Sequence, residues 1–121
     1  MGGVVSETPT GGVDGAAEAL VHPCFEELEL AAVLHALSDP VRLRIVQTLA
    51  GGGEHTCKSF DLPVTKSTCT HHFRVLREAG VIRQRLEGTT RLNSLRREEL
   101  DERFPGLVRA VLAAQQSPAG S

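Results

Sequence analysis

The stretch Thr65-Lys66-Ser67-Thr68-Cys69-Thr70-His71-His72-Phe73-Arg74-Val75-Leu76-Arg77-Glu78-Ala79-Gly80 decides the fold. Thr65 is a good N-cap and Gly80 a good C-cap, so the spacing predicts a helix from Thr65 to Ala79. At about 100° per residue, Cys69, Phe73 and Leu76 fall on one side as a core stripe. Lys66, Ser67, Thr70, His71, Arg74 and Arg77 occupy an adjoining polar arc, and Thr68 counts with them as a candidate contact. Such a helix is anchored along one edge and presents cations, hydroxyls and an imidazole along the other. Those groups suit DNA: Arg and Lys for phosphate or guanine, hydroxyls and imidazole for base edges and backbone. A solvated amphipathic helix would have the same wheel, so the flanking sequence must decide.

Upstream, Leu62-Pro63-Val64 reads as a tight turn after a short third helix, Thr56 to Phe60. Downstream the period changes to that of strands: Val81 to Leu86 and Thr90 to Leu95, around Glu87-Gly88-Thr89. Helix, turn and helix followed by a basic hairpin make a winged helix-turn-helix, with Arg83, Arg85 and Arg91 able to reach flanking phosphates or the minor groove. Farther upstream, Ser38-Asp39-Pro40 starts a second helix that carries Val41, Ile45, Val46 and Leu49 and stops at Gly51-Gly52-Gly53. The first helix is expected from Cys24 to Leu37; its apolar positions cover more than one face, which calls for burial on two sides, core and subunit interface. After the hairpin, Arg96 to Arg103 form a helical turn, and a last helix begins at Pro105 with Leu107, Val108, Val111 and Leu112. Residues 1–20 read as a mobile arm, 21–115 as the domain and 116–121 as a polar tail.

Bulk composition agrees. A chain of 121 residues allows one domain, and 40% hydrophobic with 23% charged residues is ordinary for a globular protein. No apolar run approaches the roughly 18 residues of a membrane span, and there is no basic n-region with an apolar stretch behind it, so the expected compartment is the cytoplasm and no membrane partner is expected. The net charge of −2 hides an asymmetry: residues 54–97 carry nine basic and four acidic side chains, whereas residues 1–53 carry two and seven. A polyanion is drawn to the middle segment. Without His-Glu-x-x-His, Cys-x-x-Cys or a nucleophile beside an obvious base, the residues argue against a hydrolase.

Ser38-Asp39-Pro40-Val41-Arg42-Leu43-Arg44-Ile45, followed by Ser67-Thr68-Cys69-Thr70-His71-His72-Phe73-Arg74-Val75-Leu76-Arg77-Glu78-Ala79-Gly80-Val81-Ile82, resembles the ArsR/SmtB winged-helix repressors over about residues 25–114. The resemblance implies a mainly α (α+β) fold of about five helices and a two-stranded β-hairpin wing. It also implies a homodimer built on the first and last helices, and a repressor that binds double-stranded DNA at a palindromic operator under control of an effector, often a metal ion. An alternative is a winged-helix co-regulator acting with a second regulatory protein that supplies the sensing.

The chain departs from the family where many members hold metal. His55-Thr56-Cys57 stands where a Cys-x-Cys pair is common, the last helix has no His, and Glu87-Gly88-Thr89-Thr90 replaces the basic wing tip and its tyrosine. Two His-x-Cys pairs remain, His22-Pro23-Cys24 and His55-Thr56-Cys57. Together they suit a four-coordinate Zn(II) or Ni(II), brought together across a dimer as in some members. Two readings stand for Cys24 and Cys57: metal thiolates, or small residues at helix starts. With three cysteines a closed disulfide framework is not expected, which leaves packing, metal binding or redox sensing. Cys69 belongs to the core stripe, His72 is expected packed and hydrogen-bonded, His35 at an interface, and Asp39 as a cap. Arg42 and Arg44 are expected to pair with acids of the first helix.

Overall fold

The chain runs α1 (Leu30–Ala36), α2 (Pro40–Leu49), β1 (His55–Thr56), α3 (Lys66–Ala79), β2 (Ile82–Glu87), β3 (Thr90–Leu95), α4 (Arg97–Arg103) and α5 (Leu107–Gln116). This is a computed structural model, and it describes residues 20–60, 62 and 64–116. The arm expected over 1–20 therefore lies outside the described residues except for Leu20, and the tail does so beyond Gln116.

Local chemistry sets the central helices. The Asp39 carboxylate accepts from the amides of Val41 at 2.8 Å and Arg42 at 3.1 Å, and Pro40 supplies a preset φ. Thr65 caps α3 by accepting from the Thr68 amide at 3.2 Å. Gly80 ends α3 at φ +87°, where a Cβ would meet the Leu28 side chain, so the position excludes side chains on both conformation and space. The turn then closes by Val81 N–H donating to Leu76 at 2.9 Å.

One core joins Val33 and Ala36 of α1, Ile45, Val46 and Leu49 of α2, Phe73 and Leu76 of α3, and Val81, Ile82, Leu100 and Val108. Burial of such side chains is worth about 1.5–3 kcal/mol each, which holds a helix of α3's length that would be marginal alone. Only one face of α1 is used. Leu30 and Leu34 remain 47% and 46% exposed.

Four boundaries differ from the sequence reading. The expected Cys24–Leu37 helix is a 3₁₀ turn at Phe25–Glu27, two extended residues, then α1. The break has a tertiary cause: Leu28 is fully buried against Gly80, and its carbonyl accepts from Arg103 Nε at 3.2 Å. The expected third helix is instead β1 and a 3₁₀ turn at Cys57–Ser59. A segment this short gains too few helical bonds to offset nucleation, whereas β1 finds a ready edge on β3. The wing is therefore part of a three-stranded antiparallel sheet, ordered β1-β3-β2, rather than a two-stranded hairpin alone. The last helix begins at Leu107, after Gly106 turns the chain at φ +84°.

Candidate nucleic-acid interface

Helix α3 projects one polar edge. Lys66, Ser67, Thr68, Thr70, His71 and Arg74 are exposed, while Phe73 and Leu76 are fully buried and Cys69 is half-buried. Phe73 packs edge-on against Phe60, with ring centroids 5.3 Å apart, so the anchoring stripe expected from the wheel is formed. The Thr70 hydroxyl donates to the Lys66 carbonyl at 3.0 Å, which leaves its oxygen free to accept. At the amino end, the partial positive charge of the helix and Lys66 point the same way electrostatically.

A buried network fixes the pitch of this helix. Arg42, 8% exposed, donates from Nε to the Ala36 carbonyl at 2.7 Å and from NH2 to the His35 carbonyl at 3.4 Å. Its NH1 donates to Nδ1 of His72 at 3.0 Å. Accepting at Nδ1 requires a neutral His72 whose proton sits on Nε2. The Asp39 carboxylate, 3.9 Å from the same Nδ1, is thus a neighbour and not an ion-pair partner. Burial holds the His72 pKa below its ordinary value, and the Arg42 charge adds to this against the opposing pull of Asp39. Burial opposes ionisation of Asp39, but the Arg42 and Val41 amides outweigh it and set its pKa low. The packed His72 and the capping Asp39 agree with the sequence reading. Arg42 does not: it joins α1, α2 and α3 through carbonyls and an imidazole, not through acids of the first helix.

The wing arginines sit on solvent-facing positions of β2 and β3. Arg83 pairs with Glu99 at 2.9 Å, and Arg85 grips Glu54 through two bonds at 2.6 and 2.7 Å. Exposed pairs of this kind are weak, so a phosphate can take the place of either carboxylate. Arg91 is exposed on β3. Arg77 departs from the polar arc on which the sequence places it. Half-buried, it turns inward and its NH1 donates to Gln84 Oε1 at 2.8 Å.

That contact enters a second polar network that the sequence reading missed. Gln84 and Asn93 are almost fully buried and face each other across β2 and β3. Gln84 Nε2 donates to Asn93 Oδ1 at 2.6 Å, and Asn93 Nδ2 donates to the His55 carbonyl at 3.0 Å. The Gln84 amide donates to Nε2 of His22 at 2.9 Å. The root of the wing, α3 and the segment before α1 are thereby tied together. A glutamine in Arg83-Gln84-Arg85 or an asparagine in Leu92-Asn93-Ser94 carries no local signal for such pairing.

The proposed metal donors are each engaged separately. The lone pair of His22 Nε2 is occupied by the Gln84 amide, and burial lowers the His22 pKa. Cys24 is exposed at the 3₁₀ turn with Glu27, and His55 Nε2 donates to the Gly52 carbonyl at 3.0 Å. Cys57 lies against Cys69; burial raises the pKa of both thiols. Among the described residues, no three His, Cys, Asp or Glu side chains are grouped to hold a metal ion. Among the described residues no helix is long and apolar enough to cross a membrane.

Known proteins share this arrangement. A helix-turn-helix domain model matches residues 37–85. YceK of Bacillus subtilis (strain 168), an uncharacterized HTH-type transcriptional regulator, is 34% identical over 84 residues, covering 67% of this chain and 84% of YceK. MJ1325 of Methanocaldococcus jannaschii, described in the same words, is 34% identical over 90 residues, or 72% of this chain and 97% of the relative. Among solved structures, the transcriptional repressor BigR from Xylella fastidiosa superposes with a TM-score of 0.58 at 26% identity, covering 74% of this chain and 88% of BigR. A crystal structure of an ArsR family transcriptional regulator gives a TM-score of 0.56 at 26% identity, over 72% of this chain and 91% of that one. With its capped, polar-edged third helix, buried arginine and winged sheet, the chain belongs to the ArsR/SmtB family of winged helix-turn-helix DNA-binding transcriptional regulators.

Proposed function

We propose that the protein is a repressor that binds a palindromic operator as a homodimer. Lys66, Ser67, Thr68, Thr70, His71 and Arg74 face base edges and adjacent phosphates, and Arg83, Arg85 and Arg91 contact phosphates on either side. The carrying observation is the exposed polar edge of α3 beside the buried anchoring stripe of Phe73 and Leu76. An edge held this rigidly loses little entropy on entering a groove. Arg77, turned onto Gln84, acts by positioning α3 against the wing. A co-regulator that works only through a second protein would not need a basic reading edge, so that alternative is less well supported. The test is a gel shift on duplexes selected from random DNA by the protein itself: Lys66→Ala with Arg74→Ala should weaken binding by about 100-fold at two charge contacts per protomer. Unchanged affinity would remove the assignment.

The dimer is supported by the unused apolar face of α1 at Leu30 and Leu34, adjoined in sequence logic by the half-buried Val111 and Leu112 of α5. Metal responsiveness through His22, Cys24, His55 and Cys57 needs donors from both protomers, with His22 surrendering its bond to Gln84. Titration of the dimer with Ni(II), Zn(II) and Co(II), beside the quadruple alanine variant, tests it. Equal affinity and stoichiometry in the two proteins would discard these ligands.

A further inference from the structure

A solvent-open cleft of about 890 Å³ lies between the Cys57–Ser59 turn, the first half of α3 and the β2–β3 hairpin. The more buried part of its lining is largely apolar. Phe60, Leu62 and Val64 are half-buried there, and the Phe73 ring stands edge-on to Phe60. The exposed part is basic: it carries Lys58, Lys66 and Arg91, and no carboxylate is among the described residues of the lining. These three cations have no ion-pair partner among the described residues, whereas Glu99 and Glu54 hold Arg83 and Arg85. A duplex backbone accounts for the cations but not for the apolar lining, because phosphates and sugars are met by polar groups. Apolar side chains facing a wet concavity are stabilised when something apolar covers them.

We propose that this cleft is an effector site for a small aromatic carboxylate, and that its occupancy weakens DNA binding. The volume lies within the range of small-molecule pockets, which pair an apolar lining with a few placed polar groups. An aromatic body covers Phe60, Leu62 and Val64 and adds a third ring to the edge-to-face pair of Phe60 and Phe73. One carboxylate answers the unpaired cations at the mouth. A neutral ring would leave those cations unused, and a bare inorganic anion would leave the apolar lining wet.

Lys66 and Arg91 belong both to this lining and to the proposed DNA contacts. A carboxylate held there takes up positive charge that a phosphate would otherwise use, so the two ligands oppose each other. By linkage, DNA must weaken carboxylate binding by the same factor. This consequence rests on α3 and the wing being the DNA interface; binding of the carboxylate does not.

The test titrates the full chain with 2-naphthoate, 2-naphthamide and inorganic phosphate by isothermal calorimetry. 2-Naphthoate should bind with a Kd at or below about 1 mM and about tenfold more tightly than either other probe. No binding of 2-naphthoate overturns the site. Equal binding of the amide overturns the part given to the cations, and equal binding of phosphate that given to the apolar lining. Two variants outside the proposed DNA contacts locate the site. Thr90→Trp fills the cleft from an exposed strand position and should abolish binding, and Lys58→Ala should weaken it about threefold. If Thr90→Trp disturbs the wing by circular dichroism, Lys58→Ala alone decides. Native affinity in both variants places the anion elsewhere and overturns the cleft. In gel shifts, saturating 2-naphthoate should lower affinity for a selected duplex about tenfold and leave the affinity of Thr90→Trp at its ligand-free value. Binding in the cleft with unchanged DNA affinity overturns its role as an effector site. If the protein reads DNA elsewhere, 2-naphthoate still binds while the Lys66/Arg74 variant keeps native DNA affinity, which separates the two failures.

Discussion

Arg42 and His72 show how two side chains set the aim of a helix. The guanidinium satisfies two carbonyls at the end of α1 and the imidazole of α3 simultaneously. Arg42→Ala strands those acceptors in the interior and should destabilise the fold by about 3 kcal/mol in urea unfolding, far more than a surface arginine. His72 gives the pair a pH signature. Its folded pKa is lowered, so the unfolded state binds more protons between that value and about 6.5, and stability falls as pH drops through this window. His72→Asn keeps an acceptor for Arg42 without the titration. Its Tm should decline less between about pH 6.5 and 5 than the native protein's, with the remaining slope due in part to His22, which burial shifts in the same direction. An equal decline in both proteins would mean His72 is not held neutral. None of this is legible in the sequence beyond the packed histidine, because the partners of Arg42 are backbone groups and a ring reached only through the tertiary fold.

Elements bounded by local chemistry were legible; elements bounded by distant contacts were not. Asp39-Pro40, Thr65 and Gly80 each act within their own turn, and α2 and α3 lie where those residues predict. The break before α1 depends on Leu28 reaching Gly80, and β1 depends on β3, so neither has a nearby signal. The exposed polar edge of α3 itself followed from a helical wheel, except for Arg77, whose inward turn answers the buried amide of Gln84. Capping strength is measurable: Thr65→Ala should cost about 1 kcal/mol and fray the amino end of α3. For the wing, Arg91→Ala should reduce the slope of log affinity against log salt by about one and leave sequence preference intact. A changed preference would make Arg91 a base-reading residue instead.

At the scale of the molecule, charge and apolar surface divide the labour. The basic segment 54–97 contains α3 and the whole sheet, so a polyanion is drawn to that side of the chain. Leu30 and Leu34 leave an apolar face of α1 exposed, and the proposed homodimer would bury it against a second copy. Replacing both by glutamate removes exposed apolar surface at little cost to the fold of a protomer. The variant should sediment as a folded monomer and lose most operator affinity; a dimer of native mass would move the interface elsewhere. The most direct test of a reading α3 is guanine N7 methylation interference on a selected duplex. Two major-groove clusters about one helical turn apart are expected, with guanines that cease to interfere in Arg74→Ala. An identical pattern in native protein and the Lys66/Arg74 double variant would contradict the account.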